Sequence, residues 1–177
     1  MIKTEINNLR AEIDQIDEAI AKLLSKRVDC ALKIGVFKDK LKVSQEESII
    51  PAYDPTRENL IIERLKNIVP TIPLNGIEII FRQIISLCRN SAHKSTICVF
   101  GEVNEFDYKQ HFGNFCNYII CSNISSFVEE MNKNKFNIGV IVSNIKDNNI
   151  QEIEEDKFKI IDSFISKTKK ILVYANI

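Results

Sequence analysis

Two cationic side chains in the first helical stretch of the sequence, Arg27 and Lys38, stand eleven residues apart. Eleven steps of about 100° bring them to within about 20° of each other on one helix face, three turns apart. Both side chains are long, so their charged heads could converge on one anionic ligand. The alternative is a pair of cations that lie along a solvated helix face. Arg27 counts against that alternative, because it stands where the surrounding pattern calls for an apolar residue and an unpaired charge there is costly.

Three further charged residues could belong to the same site. Arg10 lies about 100° around the helix from Arg27, so it cannot easily reach the same pocket in its own chain. It could pair with Asp14, or reach a partner's pocket in an antiparallel helix dimer. Arg57 falls in the first turn of a second helix, where it opposes the helix dipole and calls for an anionic partner. Its neighbour Glu58 favours the dipole or accepts a hydrogen bond from a hydroxyl.

This set of three arginines, one lysine and one glutamate suits the binding of a dianion. It includes no nucleophile and no obvious general base, so a reaction there would need only positioning and electrostatic stabilisation. We predict no metal site, because there are only two histidines and neither stands near a cysteine pair. The five cysteines form no C-x-x-C pair, which indicates reduced thiols and a cytoplasmic protein.

A long amphipathic helix must position most of these charges. Its apolar residues recur three and four apart, which predicts a helix from about Ile6 to Leu41. At about 1.5 Å per residue the rod is roughly 54 Å long, more than a three-helix monomer can cover. A coiled-coil spacer and a helix that builds a site inside a helical assembly both remain open. The stripe consists of Ile6, Leu9, Ile13, Ile16, Ile20 and Leu23.

Two shorter helices follow a loop that spans residues 42–53. Asp54 is a good N-cap and Pro55 a good first helical residue, so the second helix starts there and ends at Val69-Pro70. A third helix runs from near Pro73 to about Ser91. The residues expected to face inward from the second helix are Leu60, Ile61, Leu65 and Ile68.

After Lys94 the hydrophobic period changes. Short apolar runs at 97–100, 118–121, 138–142, 159–161 and 171–174, with a helical stretch at 125–135, predict a small parallel or mixed sheet. The predicted fold is therefore α followed by α/β, with domains at residues 1–93 and 95–177. Lys+Arg and Asp+Glu are equal at 24 each, which favours neither a nucleic-acid nor a membrane partner. No apolar run approaches the roughly 20 residues of a bilayer span.

The order of several motifs resembles the all-helical class of chorismate mutases over about residues 5–93. The form most similar is the mutase domain fused ahead of bacterial prephenate dehydratase. Such a resemblance implies conversion of chorismate to prephenate by an intramolecular Claisen rearrangement, without a cofactor, in an intertwined helical homodimer. The matching motifs are Leu9-Arg10, Ile13-Asp14-x-x-Asp17, Leu23-Leu24-Ser25-Lys26-Arg27, Ile34-Gly35-x-x-Lys38, Asp54-Pro55-Thr56-Arg57-Glu58 and Ile80-Phe81-Arg82-Gln83-Ile84-Ile85.

By position, the resemblance implies that Arg10 of the neighbouring chain and Arg27 of its own chain each bind a substrate carboxylate. Lys38 would contact a carboxylate and the ether oxygen. Arg57 would support the carboxylate-binding network, and Glu58 would accept from the ring hydroxyl.

At that end of the pocket Asp54 would shape the wall, and Cys88 stands where the family often has Ser or Cys. One position departs from the family, which places a Gln or Glu donor to the ether oxygen on the third helix. Here that position is Ala92, and the adjacent His93 is rotated by about 100°. Losing one such donor costs about 2.7–4 kcal/mol, so we expect measurable but weakened mutase activity.

The second segment resembles, more weakly, the first half of a prephenate dehydratase lobe. The turn after its first strand, residues 101–106, lacks the expected Pro, second Gly and Thr, and the chain stops at Ile177, before a second lobe. We therefore expect no dehydratase activity and a segment that packs, dimerises or stabilises.

The leading hypothesis is a chorismate mutase of phenylalanine and tyrosine biosynthesis. A second is a non-enzymatic helical dimer that binds or regulates another shikimate-pathway enzyme, and a third, disfavoured by the charged set, is a plain coiled-coil interaction protein.

Overall fold

The computed structural model describes residues 1–43, 53–69, 71–101, 104–134, 136–145, 153, 157–166 and 169–176. In this part of the chain three helices come first, and a five-stranded sheet with two further helices follows. The elements are α1 (Ile2–Val43), α2 (Pro55–Lys66), α3 (Leu74–Ala92), β1 (Thr96–Gly101), α4 (Glu105–Phe112), β2 (Asn117–Cys121), α5 (Ile124–Lys133), β3 (Ile138–Asn144), β4 (Phe158–Ser166) and β5 (Lys169–Asn176). The predicted fold class is confirmed, whereas the domain boundary at residues 93–95 stays a prediction.

Helix α1 is the long helix that the apolar spacing predicts, and it extends past the predicted limits at both ends. Its C-terminal half packs on α3, which approaches closely at Gly35, the one buried position in the last three turns described. The N-terminal half of α1 is not packed in this way. The six apolar residues of the stripe from Ile6 to Leu23 are 44–63% exposed, so the described part of this chain leaves that face uncovered.

Helix α2 begins as the sequence predicts. The Asp54 carboxylate accepts from the backbone N–H of Arg57 at 2.9 Å, and Pro55 is the first helical residue. The end of the helix and its inner face differ from expectation. The helix stops at Lys66, and the prediction that Leu60 and Ile68 face inward was wrong, since they are 59% and 62% exposed.

The buried face of α2 instead carries Glu58 and Ile62, four residues apart. A charged residue therefore marks the inner side of the helix, and a rule that follows apolar residues alone cannot find it.

Helix α3 is buried on two faces. The first faces α1 and α2 and carries Ile77, Ile85 and Cys88. The second consists of polar residues at helical spacing and receives α4 with the turn that follows it. Across this second contact the Phe115 N–H donates to Ser86 Oγ at 3.2 Å, and the Asn114 N–H donates to Gln83 Oε1 at 2.9 Å. The buried polar residues are Arg82, Ser86, Arg89 and His93.

The sheet has the strand order β2-β1-β3-β5-β4. Strands β1, β2 and β3 are parallel, and β5 runs antiparallel to both of its neighbours, so the sheet is mixed, which is one of the two predicted alternatives. Alternate residues point to opposite faces. Val99, Val140 and Val173 belong to the core that α4 covers, whereas the residues next to them pack with Phe127 and Met131 of α5. The apolar runs correctly predicted all five strands, whereas α4 was not predicted from the sequence.

One helical-domain residue lies inside the α/β core. Tyr53, directly before the α2 cap, is fully buried and clusters with Val99, Tyr108 and Phe112. The two domains therefore share packed side chains. Of the helices described, none has the length and apolarity needed to cross a bilayer.

Gly113, between α4 and β2, should not tolerate a side chain. Its φ is +80°, and an added Cβ would lie 2.4 Å from Ser86 Cβ and 3.0 Å from the Arg82 carbonyl oxygen. We predict that Gly113→Ala lowers the free energy of unfolding by about 2 kcal/mol or more, from backbone strain and steric overlap together. Urea denaturation followed by circular dichroism measures the loss.

The matched control is Gly76→Ala in α3, where the nearest atom to an added Cβ lies at 3.6 Å. That variant should be as stable as the parent or slightly more stable, since Ala suits a helix better than Gly. Equal effects of the two substitutions would contradict the tight contact between α3 and the turn after α4.

Candidate active site

A cavity of about 460 Å³ lies between α1, α2 and α3. All of the predicted site residues line it except Arg10. They are Arg27 and Lys38 from α1, Asp54, Arg57 and Glu58 from the start of α2, and Cys88 and Ala92 from α3. Arg10 lies 17 residues before Arg27 on the same helix, so about 25 Å of rod separates it from the cavity of its own chain.

The charges around this cavity are unbalanced. Four cationic side chains line it, from Arg27, Lys38, Arg57 and Arg89, against the two carboxylates of Asp54 and Glu58. The chain as a whole has no net charge. The cavity therefore concentrates an excess of two positive charges, which favours an anionic ligand.

On the α1 wall, Arg27 and Lys38 both point toward the cavity, as their spacing predicts. The Arg27 Nη1 group donates to Cys88 Sγ at 2.7 Å and to the Ile84 carbonyl oxygen at 3.5 Å. These contacts explain how a guanidinium can interrupt the apolar stripe. Lys38 is half-buried, and burial lowers the pKa of its ammonium although the nearby Asp54 opposes the shift.

The helices come close together at Gly35, one turn before Lys38. A Cβ there would lie 3.4 Å from both Cβ and O of Ala92, and 3.4 Å from Nε2 of His93. Ala92 therefore lies against the α1 backbone and presents only a methyl group to the cavity. His93 also lines the cavity, but it is buried, and its ring stacks on Phe136 with 4.2 Å between the centroids.

On the α2 wall, Arg57 and Glu58 have very different surroundings. The Arg57 side chain is exposed, and it forms no ion pair with the residues that the structure describes. Glu58 is buried, and its Oε1 accepts from Nη1 of Arg89 at 2.8 Å, while its Oε2 lies 3.8 Å from Nη1 of Arg82. Burial raises the pKa of Glu58, and the two guanidiniums oppose that shift. Oε2 is itself buried and has no hydrogen-bond partner within the described chain.

Arg89, the residue that holds Glu58, was not predicted from the sequence. Its Nη2 also donates to the Phe112 carbonyl oxygen at 2.8 Å, and the guanidinium lies 5.3 Å and 5.9 Å from the ring centroids of Tyr53 and Phe112. A signal was present in the sequence. Arg82, Ser86, Arg89 and His93 recur at four, three and four residues, which is the spacing of a second buried helix face.

A hydrogen-bonded group from the α/β domain holds Tyr53, next to the α2 cap. The Tyr53 hydroxyl donates to Asp162 Oδ2 at 2.6 Å, and Nε2 of His111 lies 2.6 Å from the same hydroxyl. Because the hydroxyl proton goes to Asp162, the Nε2 of His111 is the donor in the second bond. Burial raises the pKa of Tyr53, with Asp162 adding to the shift. Burial lowers the pKa of His111, although Asp162 opposes it.

Comparison with known proteins identifies the family of the helical part of the chain. Residues 9–93 match the family described as chorismate mutase type II. Residues 9–93 are a chorismate mutase type II domain. The matched range contains all three walls of the cavity and Arg10.

A relative in Aquifex aeolicus (strain VF5) is named bifunctional chorismate mutase/prephenate dehydratase. It is 30% identical over 145 residues, which cover 77% of this chain and 38% of the relative. A 77% share is more than the chorismate mutase domain alone can supply, so the similarity continues into the α/β domain. The chain spans well under half the length of that relative. No solved structure matches the chain significantly.

Removing one partner of the buried pair between Arg89 and Glu58 should be strongly destabilising. We predict that Arg89→Met lowers the free energy of unfolding by about 3–5 kcal/mol, because it leaves a buried carboxylate without its nearest cation. Adding Glu58→Gln to that variant should recover part of the loss, so that the double variant costs less than the sum of the two single ones. Urea denaturation of all four proteins measures the coupling.

An exposed pair provides the control. Lys22 and Glu18 on α1 are 3.3 Å apart with side chains 75% and 73% exposed, so Lys22→Met should change stability little. Strictly additive effects of Arg89→Met and Glu58→Gln would contradict the buried pair.

Proposed function

We propose that this protein is a chorismate mutase, which converts chorismate to prephenate by an intramolecular Claisen rearrangement. The observation that carries the proposal is the excess of two positive charges in the cavity of a chorismate mutase type II domain. Chorismate carries two carboxylates, so its charge complements that excess.

In the proposed mechanism the protein supplies geometry and charge only. Arg27 of the same chain binds a carboxylate, Arg57 supports the carboxylate-binding network, and together they help to hold the substrate in the compact form in which the new carbon–carbon bond can close. Lys38 contacts a carboxylate and the ether oxygen, where negative charge grows as the carbon–oxygen bond breaks. Glu58 accepts from the ring hydroxyl, and Asp54 shapes that end of the cavity. A 10⁶-fold acceleration would need about 8 kcal/mol of such differential stabilisation.

We propose further that the working form is a homodimer. The apolar stripe of α1 from Ile6 to Leu23 is uncovered in the single chain, and Arg10 lies on this half of the helix. A second copy would cover the stripe and bring its own Arg10 to the cavity. This arrangement would give Arg10 a role that its position in a single chain does not allow.

The proposal includes a reduced rate. Ala92 presents a methyl group where the family resemblance implies an amide or carboxyl donor to the ether oxygen, so one transition-state contact is absent from that position. The same observation supports the second candidate, a non-enzymatic helical dimer that binds or regulates another enzyme of the shikimate pathway.

For the α/β domain we propose a structural role and no dehydratase activity, because the turn after β1 departs from the residues that the resemblance calls for. We place the reaction in the cytoplasm, in line with the five cysteines, which are all free thiols. We propose neither a nucleic-acid nor a membrane partner.

The direct test is the loss of chorismate absorbance on mixing with the full chain. We predict turnover above the uncatalysed rate, and at least a 100-fold drop in kcat/KM for Lys38→Ala, the size expected when one transition-state contact is removed. Lys33→Ala, an exposed lysine on the same helix outside the cavity, is the matched control and should leave turnover unchanged. Folded parent protein without turnover would sink the enzymatic proposal.

The pH dependence of the same assay tests the charge on Lys38. Activity needs the protonated ammonium, and burial lowers its pKa, so the rate should fall as the pH rises through a value below the usual lysine pKa of about 10.4. Lys38→Arg should move any alkaline loss of residual activity to higher pH. A parent that stays fully active above that pH would contradict the role of Lys38.

Mixing two inactive variants tests the contribution of Arg10 from the second copy. We predict that Arg10→Ala and Lys38→Ala are each nearly inactive, and that a mixture refolded together regains activity. In a mixed dimer one of the two sites combines an intact Arg10 with an intact Lys38, so about a quarter of all sites should be restored. Absence of any recovery, with mixed dimers present on native mass spectrometry, would contradict a role across the dimer.

The binding of a bicyclic transition-state mimic separates the two candidate functions. A working cavity should bind the mimic well above substrate, as measured by calorimetry. A helical dimer that only regulates another enzyme should bind neither compound tightly.

A further inference from the structure

The start of α2 is attached to the α/β domain at two points. The first is Tyr53, whose ring is buried in the α/β core and whose hydroxyl is held by His111 of α4 and Asp162 of β4. Tyr53 immediately precedes Asp54, the N-cap of α2. The backbone that enters the helix is therefore fixed by residues of the other domain.

The second point is Arg89 of α3. One side of its guanidinium binds Glu58 of α2, and the other binds the carbonyl oxygen of Phe112, the last residue of α4. The rings of Tyr53 and Phe112 lie against the same guanidinium. Arg89 thus connects a cavity residue to the α/β domain, and it also connects the first attachment point to the second.

Apart from Arg82 of α3, which donates to Asn59 Oδ1 at 3.2 Å and lies 3.8 Å from Glu58 Oε2, few other contacts fix this turn of the helix. The Arg57 side chain is exposed, and the Asp54 carboxylate accepts a hydrogen bond from the backbone N–H of Arg57. Helix α2 packs mainly on α3, with no extensive contact to α1 in the described residues. The orientation of the turn that carries Asp54, Arg57 and Glu58 therefore depends on what holds Tyr53 and Glu58.

We propose that the α/β domain is part of the framework of the mutase cavity, and that Tyr53 and Arg89 are positioning residues through which it orients the first turn of α2. This inference rests on the proposed function for its catalytic consequence. The α/β domain contributes no group to the substrate. It fixes the backbone before the helix cap and the carboxylate of Glu58, so that Arg57 and Glu58 face the cavity together.

Two substitutions test the proposal, one on each side of the contact. Tyr53→Phe keeps the buried ring and removes the hydroxyl, and Asp162→Ala removes the acceptor from the α/β domain, far along the sequence from the cavity. The matched control is Tyr118→Phe, which removes the hydroxyl of another α/β tyrosine. That hydroxyl donates to the Gly113 carbonyl oxygen within its own domain.

The steady-state constants of the full chain separate positioning from folding. Misplacing Arg57 weakens binding of substrate and transition state alike, so we expect KM for chorismate to rise about 3- to 10-fold in both variants while kcat changes by less than about twofold. A role in folding alone would lower the active fraction, which reduces kcat and leaves KM unchanged. Tyr118→Phe should leave KM unchanged.

Amide hydrogen exchange provides a readout that does not need activity. The N–H groups of Arg57 and Glu58 bond to the side chain and backbone oxygens of Asp54. Their exchange should become at least about threefold faster in Tyr53→Phe and Asp162→Ala, and should not change in Tyr118→Phe, because local opening of this turn becomes easier.

The outcomes are distinct. A lower kcat at constant KM, unchanged exchange in residues 56–58, or equal effects of Tyr53→Phe and Tyr118→Phe would overturn the positioning role. A parent chain without mutase activity would overturn the proposed function instead, and the exchange rates would then decide by themselves whether the α/β domain holds the start of α2.

Discussion

The buried ion pair between Arg89 and Glu58 is the interaction on which the rest of the structure depends. It joins α2 to α3, and through the Phe112 carbonyl oxygen it joins both to α4. Burying two charges is costly, and their attraction offsets the cost only when the remaining donors and acceptors are also used. Here the second guanidinium nitrogen is bonded and two aromatic rings cover the group, but Nε of Arg89 and Oε2 of Glu58 have no hydrogen-bond partner among the described residues. Such a pair adds little to stability over an apolar contact, but it strongly restricts how the three helices can be oriented.

The two faces of α3 follow from the same constraint. One face is apolar and packs against the helices that form the cavity, while the other is polar and receives the turn after α4. Since the helix is rigid, a shift on one face moves the other. The side chains of Cys88 and Ala92 reach the cavity, and those of Ser86 and Arg89 contact the α/β domain or bridge to it. The α/β domain therefore cannot be repositioned without disturbing the wall of the cavity.

Local signals in the sequence were sufficient wherever a feature depends on neighbours along the chain. The cap at Asp54 and Pro55, the convergence of Arg27 and Lys38, and the five strands all follow from short-range spacing. The inner face of α2 did not, because Glu58 is buried only through a partner 31 residues away. Arg89 was not predicted for the same reason, because a search for apolar periodicity counts every arginine as a surface residue. Arg10 lies about 25 Å along α1 from the cavity, so its proposed role depends on a second copy.

These contacts determine which charges in the cavity are available to a ligand. Because Arg89 forms an ion pair with Glu58, that carboxylate does not neutralise one of the cations that the proposed reaction needs. Arg27 is held by neutral acceptors, the Cys88 sulfur and a backbone oxygen, and therefore keeps its full charge toward the cavity. The Asp54 carboxylate caps a helix. Arg27 is therefore oriented but not neutralised. A dianion that entered would meet positive charge already in place, and little reorganisation would be needed as charge moved to its ether oxygen.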